Sequence, residues 1–294
     1  MNEKGSAAII LCAAVAVLFA VAAYVTDIGM VYIERTKLSN AIDSAVLAAA
    51  LELPNDAQKA RDTAASYLQK NNVDTGSSVI TVSSDNKSIY IESVKDVKHL
   101  FAPVFGIKQS RIKEHSKGIV APIRSLNGGV RPFAVEYFNY TYGNQIVLKN
   151  GAGAGYNGNY NAISLGGTGA SNFENNALYG FKGTISVGDY IDTETGDMSG
   201  ATNDIANYIN SEQSTFTNYP RGSIRLWTIP MVNTMMVNGK KQVLVKGFGQ
   251  FFVEAVKKNS GKIEITGRFV KYVTKGEIDT SITDMGTYGV KLVE

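Results

Sequence analysis

The residues with types and spacing suited to chemistry are few. Ser110 and Lys113 form an S-x-x-K, the arrangement in which a lysine activates a serine nucleophile. That activation needs both side chains on one helix face. The surrounding "QSRIKEHSKGIVAPI" instead alternates as a strand, which sends residues three apart to opposite faces. Gly153, Gly155 and Gly158 form a G-x-G-x-x-G, but "YNGNYN" overlaps its end and no helical pattern opens there to receive a phosphate. His99 and His115 are the only histidines, and neither has a second histidine or a cysteine at zinc-ligand spacing. Asp189, Asp192, Glu194 and Asp197 could offer oxygens to calcium; "DYIDTETGDMSG" lacks the EF-hand order and reads first as an Asp/Gly turn. No cofactor is called for, and no enzyme activity is expected.

Arg111, Lys113, His115 and Lys117 are different in kind. Their alternation places four basic groups on one face of a strand. Such a face is either simply solvated or a contact for anionic headgroups or an acidic partner. A second candidate surface is aromatic. Tyr137, Tyr140, Tyr142, Tyr156, Tyr160 and Tyr179 crowd a Gly- and Asn-rich region, a composition that suits glycan binding or adhesion and equally suits strands.

The elements that must position these residues begin with an apolar helix. Ser6–Thr26, "SAAIILCAAVAVLFAVAAYVT", carries no charge and as a helix spans ~30 Å, the thickness of a hydrocarbon core. A cleaved signal peptide is the rival reading, with "AVA" at Ala20–Ala22 as the cut. The apolar run is longer than a signal core and helical patterning continues past that cut, which favours a retained anchor. Cys12, the single cysteine, lies inside this span, so no internal disulfide can form. The 29 basic and 26 acidic residues are interspersed and leave a net +3, without the basic blocks that nucleic acid requires.

Beyond the span, Ile28, Val31, Leu38, Ile42, Ala45, Ala49 and Leu53 continue an apolar stripe down one side of the same helix until Pro54. Glu34 and Lys37 pair on its wetter side. The stripe needs a cover. The first candidate is a second helix over about Asp56–Lys70, folding back through a short link, with Ala60, Ala64, Tyr67 and Leu68 inward. "SVITVS" and "KSIYIES" then alternate around "SDN" as a hairpin. "DVKHLFAPVFGI" has Val97, Leu100, Phe101, Val104 and Phe105 at helical spacing, and predicts a helix kinked at Pro103. After it comes the long basic strand. The remainder reads as β-rich, with strands in "RLWTIPMVN", "KQVLVKGFGQFFVEAV" and "KIEITGRFVKYV" and one helix near Thr202–Glu212.

At this point the residues resemble a known family. Gly5, the apolar span, Asp27 with Gly29, and "LSNAIDSAVLAAA" (Leu38–Ala50) are similar to the N-terminal signature of TadE/TadG-like tight-adherence (Flp) pilus-assembly proteins. "HLFAPVFGI", "RPFAV", "DTETGDMSGAT", "VLVKGFGQFFVE" and "TGRFVKYV" resemble further segments of TadG-like proteins. The resemblance implies a bitopic envelope protein acting in pilus assembly or secretion, without a catalytic activity. Processing at Gly5, as in a prepilin, is weakly signalled, because the fifth residue after it is Ile10 and not glutamate.

The expected architecture is α+β: a long N-terminal transmembrane and stalk helix, a small α+β pilin-like module, then a mainly antiparallel β-rich domain. The expected boundaries are a tail at 1–5, the span at 6–26, stalk and module at 27–121, a linker at 122–130 and the β-rich domain at 131–294. The expected partners are other pilus-assembly proteins or pilin, and the membrane, with the bulk of the chain outside the cytoplasm. A membrane-anchored surface binding protein is the alternative.

Overall fold

The computed structural model describes residues 3–137, 140–149, 162–194, 202–237, 239–259 and 262–293. The fold is α+β: a long N-terminal helix followed by mainly β structure with antiparallel and a few parallel pairings. The chain divides into two compact units, Met1–Ile119 with Leu292–Glu294, and Val120–Lys291.

The first unit is organised on one uninterrupted helix, α1 (Glu3–Ala50), 48 residues and ~72 Å long. Alanine, leucine, valine and isoleucine dominate it, and no proline or pair of glycines interrupts it. Its described side chains as far as Thr26 are exposed almost all round, Leu18 and Phe19 among them. Burial starts abruptly at Asp27 and becomes continuous from Leu38, with Ile42, Ala45, Val46, Ala49 and Leu53 fully enclosed. The expected stripe therefore holds from Leu38 onward and fails above it. Ile28 is exposed, although its neighbour Asp27 is buried against the loop after β2.

The cover is made of two parts. Helix α2 (Ala57–Lys70) starts at Asp56, whose carboxylate accepts the Lys59 N–H at 2.8 Å. It packs on α1 through Ala60, Ala64 and Leu68. Tyr67, expected inside, lies outward beneath the Lys70 ammonium, 5.5 Å from the ring centre. The second part is the antiparallel sheet of β1 (Ser78–Val82), β2 (Ser88–Lys98) and the first half of β3 (Gln109–Asn127). Ile89 and Ile91 of β2 and Ile112 of β3 are buried on its inner side. Gly118 is required there. A Cβ at that position would lie 2.6 Å from Val46 Cγ1, so only glycine admits α1 this close to the strand.

The helix expected over "DVKHLFAPVFGI" is absent. Strand β2 continues to Lys98, and only a 3₁₀ turn, Ala102–Phe105, follows before Gly106 in the left-handed region at φ 84°. The physical reason is strand pairing: Asp96, Val97 and Lys98 lie extended opposite Arg111, Ser110 and Gln109 of β3, which leaves only the residues after His99 free to turn before the left-handed Gly106.

In the second unit, the rest of β3 pairs antiparallel with β7 (Thr184–Ser186) and β13 (Glu277–Ile278). The main sheet runs β4 (Val135–Glu136), β9 (Leu226–Val232), β10 (Gln242–Asn259), β11 (Lys262–Val270), β5 (Gln145–Lys149), antiparallel except for β4 against β9. A shorter pair, β6 (Ile163–Ser164) and β8 (Tyr190–Thr193), joins the far part of β10. Parallel strands β12 (Tyr272–Val273) and β14 (Thr287–Val293) complete the set. Helices α3 (Ala170–Tyr179) and α4 (Thr202–Asn210) contribute Phe173, Ala177, Ile205 and Ile209 to a core built on Phe133, Trp227, Phe251 and Phe269.

Helix α3 is hidden in the Gly- and Asn-rich stretch. Its asparagines sustain it: Asn172 and Asn176 both donate to the Leu165 carbonyl of the preceding loop. Arg131, in "RPFAV", is buried 5.9 Å over the Trp227 ring and donates to the Ala177 carbonyl near the C-terminal, negative end of α3. Burial pushes its guanidinium down to about 10.

Candidate functional site

The most specific constellation in the first unit is built on Asp27. This residue directly follows the uncharged span and is 3% exposed. Its Oδ1 accepts the N–H groups of Leu100 at 2.7 Å and Phe101 at 3.3 Å. Its Oδ2 accepts those of Phe101 at 3.1 Å and Ala102 at 2.7 Å. The 3₁₀ turn has no capping side chain of its own, so Asp27 caps it from a distant part of the chain. Desolvation raises the Asp27 carboxyl, but the N–H donors of Leu100, Ala102 and Phe101 outweigh it and hold the group below its ordinary value.

Two further α1 residues extend the attachment. Glu34 accepts from Lys37 at 2.8 Å and from Lys95 of β2 at 2.6 Å. The bonds to these two ammonium groups hold its carboxyl at about 2. Arg35 donates through Nε to Glu114 of β3. Seven and eight residues separate Asp27 from Glu34 and Arg35, close to two turns, so all three address β2, β3 or the turn between them from one side of the helix. The Glu34–Lys37 pair was legible from spacing. The Asp27 clasp was not, although an ionisable residue at the end of an apolar span is a signal in itself.

Arg111, Lys113, His115 and Lys117 share the outward face of β3, all exposed, as the alternation implies. They are interleaved with groups of β2. Arg111 holds Asp96 with two bonds, Nε–Oδ1 at 2.9 Å and Nη2–Oδ2 at 3.2 Å. Lys113 pairs with Glu92 at 2.8 Å, and Glu92 also accepts from the Tyr90 hydroxyl at 2.9 Å. The His115 ring lies 5.8 Å from that of Tyr90, and Lys117 stands opposite Tyr90 in the ladder. The face is a mixed-charge ladder and not a bare basic stripe. Bonding to Arg111 lowers the Asp96 carboxyl, and bonding to Lys113 and Tyr90 lowers that of Glu92.

Ser110 does not use Lys113. Its hydroxyl meets His99 Nε2 at 2.9 Å. A nucleophile–base pair would need a third group on His99 Nδ1, and that nitrogen is buried with no hydrogen-bond partner among the described residues. Asp27, which interacts with His99 electrostatically, has both oxygens committed to backbone donors.

The remaining candidates disperse. Asp189 accepts the Ser186 N–H at 2.8 Å within a turn, Asp192 lies in β8, and Glu194 faces Lys240 at 3.7 Å. Asp197 and the glycines at 153, 155 and 158 fall outside the described residues. Among the described residues no three His, Cys, Asp or Glu side chains gather as a metal site. Tyr140 and Tyr142 pack on the core, Tyr140 stacked on Phe269 at 4.3 Å, while Tyr137 and Tyr179 are exposed. Tyr156 and Tyr160 lie outside the described residues.

Residues 5–52 match the family described as "Putative Flp pilus-assembly TadE/G-like". The TadE/G-like segment thus coincides with α1, its continuation through Glu52, the Asp27 clasp and the buried run from Leu38. No match to a curated protein or to a solved structure accompanies it. Near the N-terminus, within the TadE/G-like segment, lies a helix long and apolar enough to cross a membrane. The chain therefore carries an N-terminal TadE/G-like segment whose helix is compatible with a single-pass membrane anchor. The matched family is one of assembly and not of catalysis.

Proposed function

We propose that this chain is a structural or assembly component of a tight-adherence (Flp-type) pilus or a related secretion system, acting by association with pilin or sister assembly proteins. Ser6–Thr26 crosses the membrane once and the bulk of the chain lies outside the cytoplasm. The observation that carries the reading is the match of residues 5–52 together with the exposure pattern of the same helix. Below the span, α1 is only partly covered by its own unit: Ile28, Tyr32 and Ile33 stay exposed between the membrane-crossing part and the buried run. An apolar helix surface of this kind is suited to a partner helix.

Photocrosslinking from Tyr32 in intact cells, followed by mass spectrometry, tests the association. Capture of pilin or of other assembly proteins at that position supports it; crosslinks to lipid alone would refute it. Protease protection in spheroplasts tests the orientation, and a fully protected chain would reverse it.

A lesser contact surface is the outward β3 face with Arg111, Lys113, His115 and Lys117. Because Glu92 and Asp96 are interleaved there, it suits a polar protein partner better than an anionic bilayer. The alternative function, surface or glycan binding, has the exposed Tyr179 and Tyr190 in its favour. A glycan array probed with the full chain would separate it from the assembly role.

A further inference from the structure

We infer that the loop Leu100–Ile107 is a second membrane contact, a short apolar tip seated in the interfacial layer of the bilayer beside the helical anchor. Its residues are apolar in the wrong place for a soluble surface. Leu100 is 64%, Val104 85%, Phe105 76% and Ile107 56% exposed, with Phe101 also outward. Five large apolar side chains within eight residues form a continuous patch with no cover in the first unit.

The occupant follows from position. The Asp27 carboxylate fixes the tip through the N–H groups of Leu100, Phe101 and Ala102, and Asp27 is the first charged residue after the span. The tip is therefore held at the depth where the uncharged helix ends, which is where hydrocarbon gives way to headgroups. Lys98 and Lys108 flank it on either side and are exposed, and the loop base is closed by the His99 N–H donating to the Lys108 carbonyl at 3.0 Å. An apolar tip with a lysine at each end places its side chains among acyl chains and its ammonium groups among phosphates. Tyr24, exposed on α1 three residues ahead of Asp27, has the amphipathic character of an interfacial belt. The tip is also preformed: Pro103, the 3₁₀ turn and the left-handed Gly106 fix its shape, so little ordering is required on insertion.

This inference rests on the reading of Ser6–Thr26 as a membrane span, and the test separates the two. In the full chain with Cys12→Ala, single cysteines are placed at Leu18, Val104, Phe105 and Ser84 and labelled with an environment-sensitive fluorophore. Ser84 lies at the hairpin turn, ~30 Å from the tip along β2. The protein is reconstituted in phosphatidylcholine–phosphatidylglycerol vesicles carrying a nitroxide either shallow or deep on the acyl chain. Expected are deep quenching at Leu18, shallow quenching at Val104 and Phe105 consistent with a depth of ~5–10 Å, and several-fold weaker quenching at Ser84. Val104 and Phe105 signals equal to that of Ser84, with Leu18 quenched, overturn the inserted tip and leave the anchor standing. An unquenched Leu18 overturns both. Both tip positions are exposed, so their substitution leaves the fold intact.

Discussion

The Oδ1 atom of Asp27 accepts the backbone N–H of Leu100, 73 positions further along the chain, at 2.7 Å. One carboxylate at the end of the apolar span thereby caps the 3₁₀ turn of a loop distant in sequence. Asp27→Asn keeps one acceptor oxygen and loses the charge. We expect the amides of Leu100, Phe101 and Ala102 to lose protection from hydrogen exchange by about tenfold or more, while those of β2 and β3 keep theirs. Unchanged protection at the three amides would show that the clasp is dispensable.

The Glu34 carboxyl, held at about 2 by Lys37 and Lys95, makes the first unit acid-sensitive. A carboxyl with a depressed value contributes stability in full above its ordinary value of 4.5, and that contribution is lost as pH falls toward about 2. Its partners are partly exposed, so screening limits the effect to about 1 kcal/mol. Thermal melts of the detergent-solubilised chain across this window should fall for the native sequence and fall less for Glu34→Gln. Parallel curves would show that the pair adds nothing.

Gly118→Ala is expected to destabilise by about 1–3 kcal/mol, because the new methyl meets Val46 Cγ1 at 2.6 Å and forces α1 off the strand. Adding Val46→Ala should recover part of the loss. Denaturant unfolding of the single and double variants measures the coupling, and simple additivity would refute the contact.

Leu38 and Ile28 belong to one apolar stripe by spacing but not by burial. Leu38→Ala, at a fully buried position, should cost about 2–5 kcal/mol. Ile28→Ala should leave stability within about 0.5 kcal/mol yet weaken crosslinking to the partner in cells. The reverse pattern would place the partner surface elsewhere.

What was legible in the sequence was whatever depends on local period. The span, the buried run from Leu38, α2, the hairpin and the long strands all follow from spacings of 3.6 or 2. What was hidden depends on partners far along the chain. Val97, Leu100, Phe101, Val104 and Phe105 satisfy helical spacing, but Asp96, Val97 and Lys98 are held extended by pairing with Arg111, Ser110 and Gln109 of β3. The basic groups of β3 look unpaired when read alone, yet register sets Arg111 opposite Asp96, 15 positions earlier. Helix α3 escaped because its support comes from asparagine side chains reaching back to Leu165, which no periodicity records.

The unbroken course of α1 from the span to the Asp27 clasp and on to Gly118 has a mechanical consequence. No hinge intervenes between the apolar part and the part packed on the sheet, so a twist or a pull applied at the apolar end is transmitted along one stiff shaft. Such a shaft also has a phase. One residue inserted ahead of Asp27 would turn the apolar part by about 100° relative to the clasp. A neighbour that grips the anchor can therefore set the heading of the first unit without touching it.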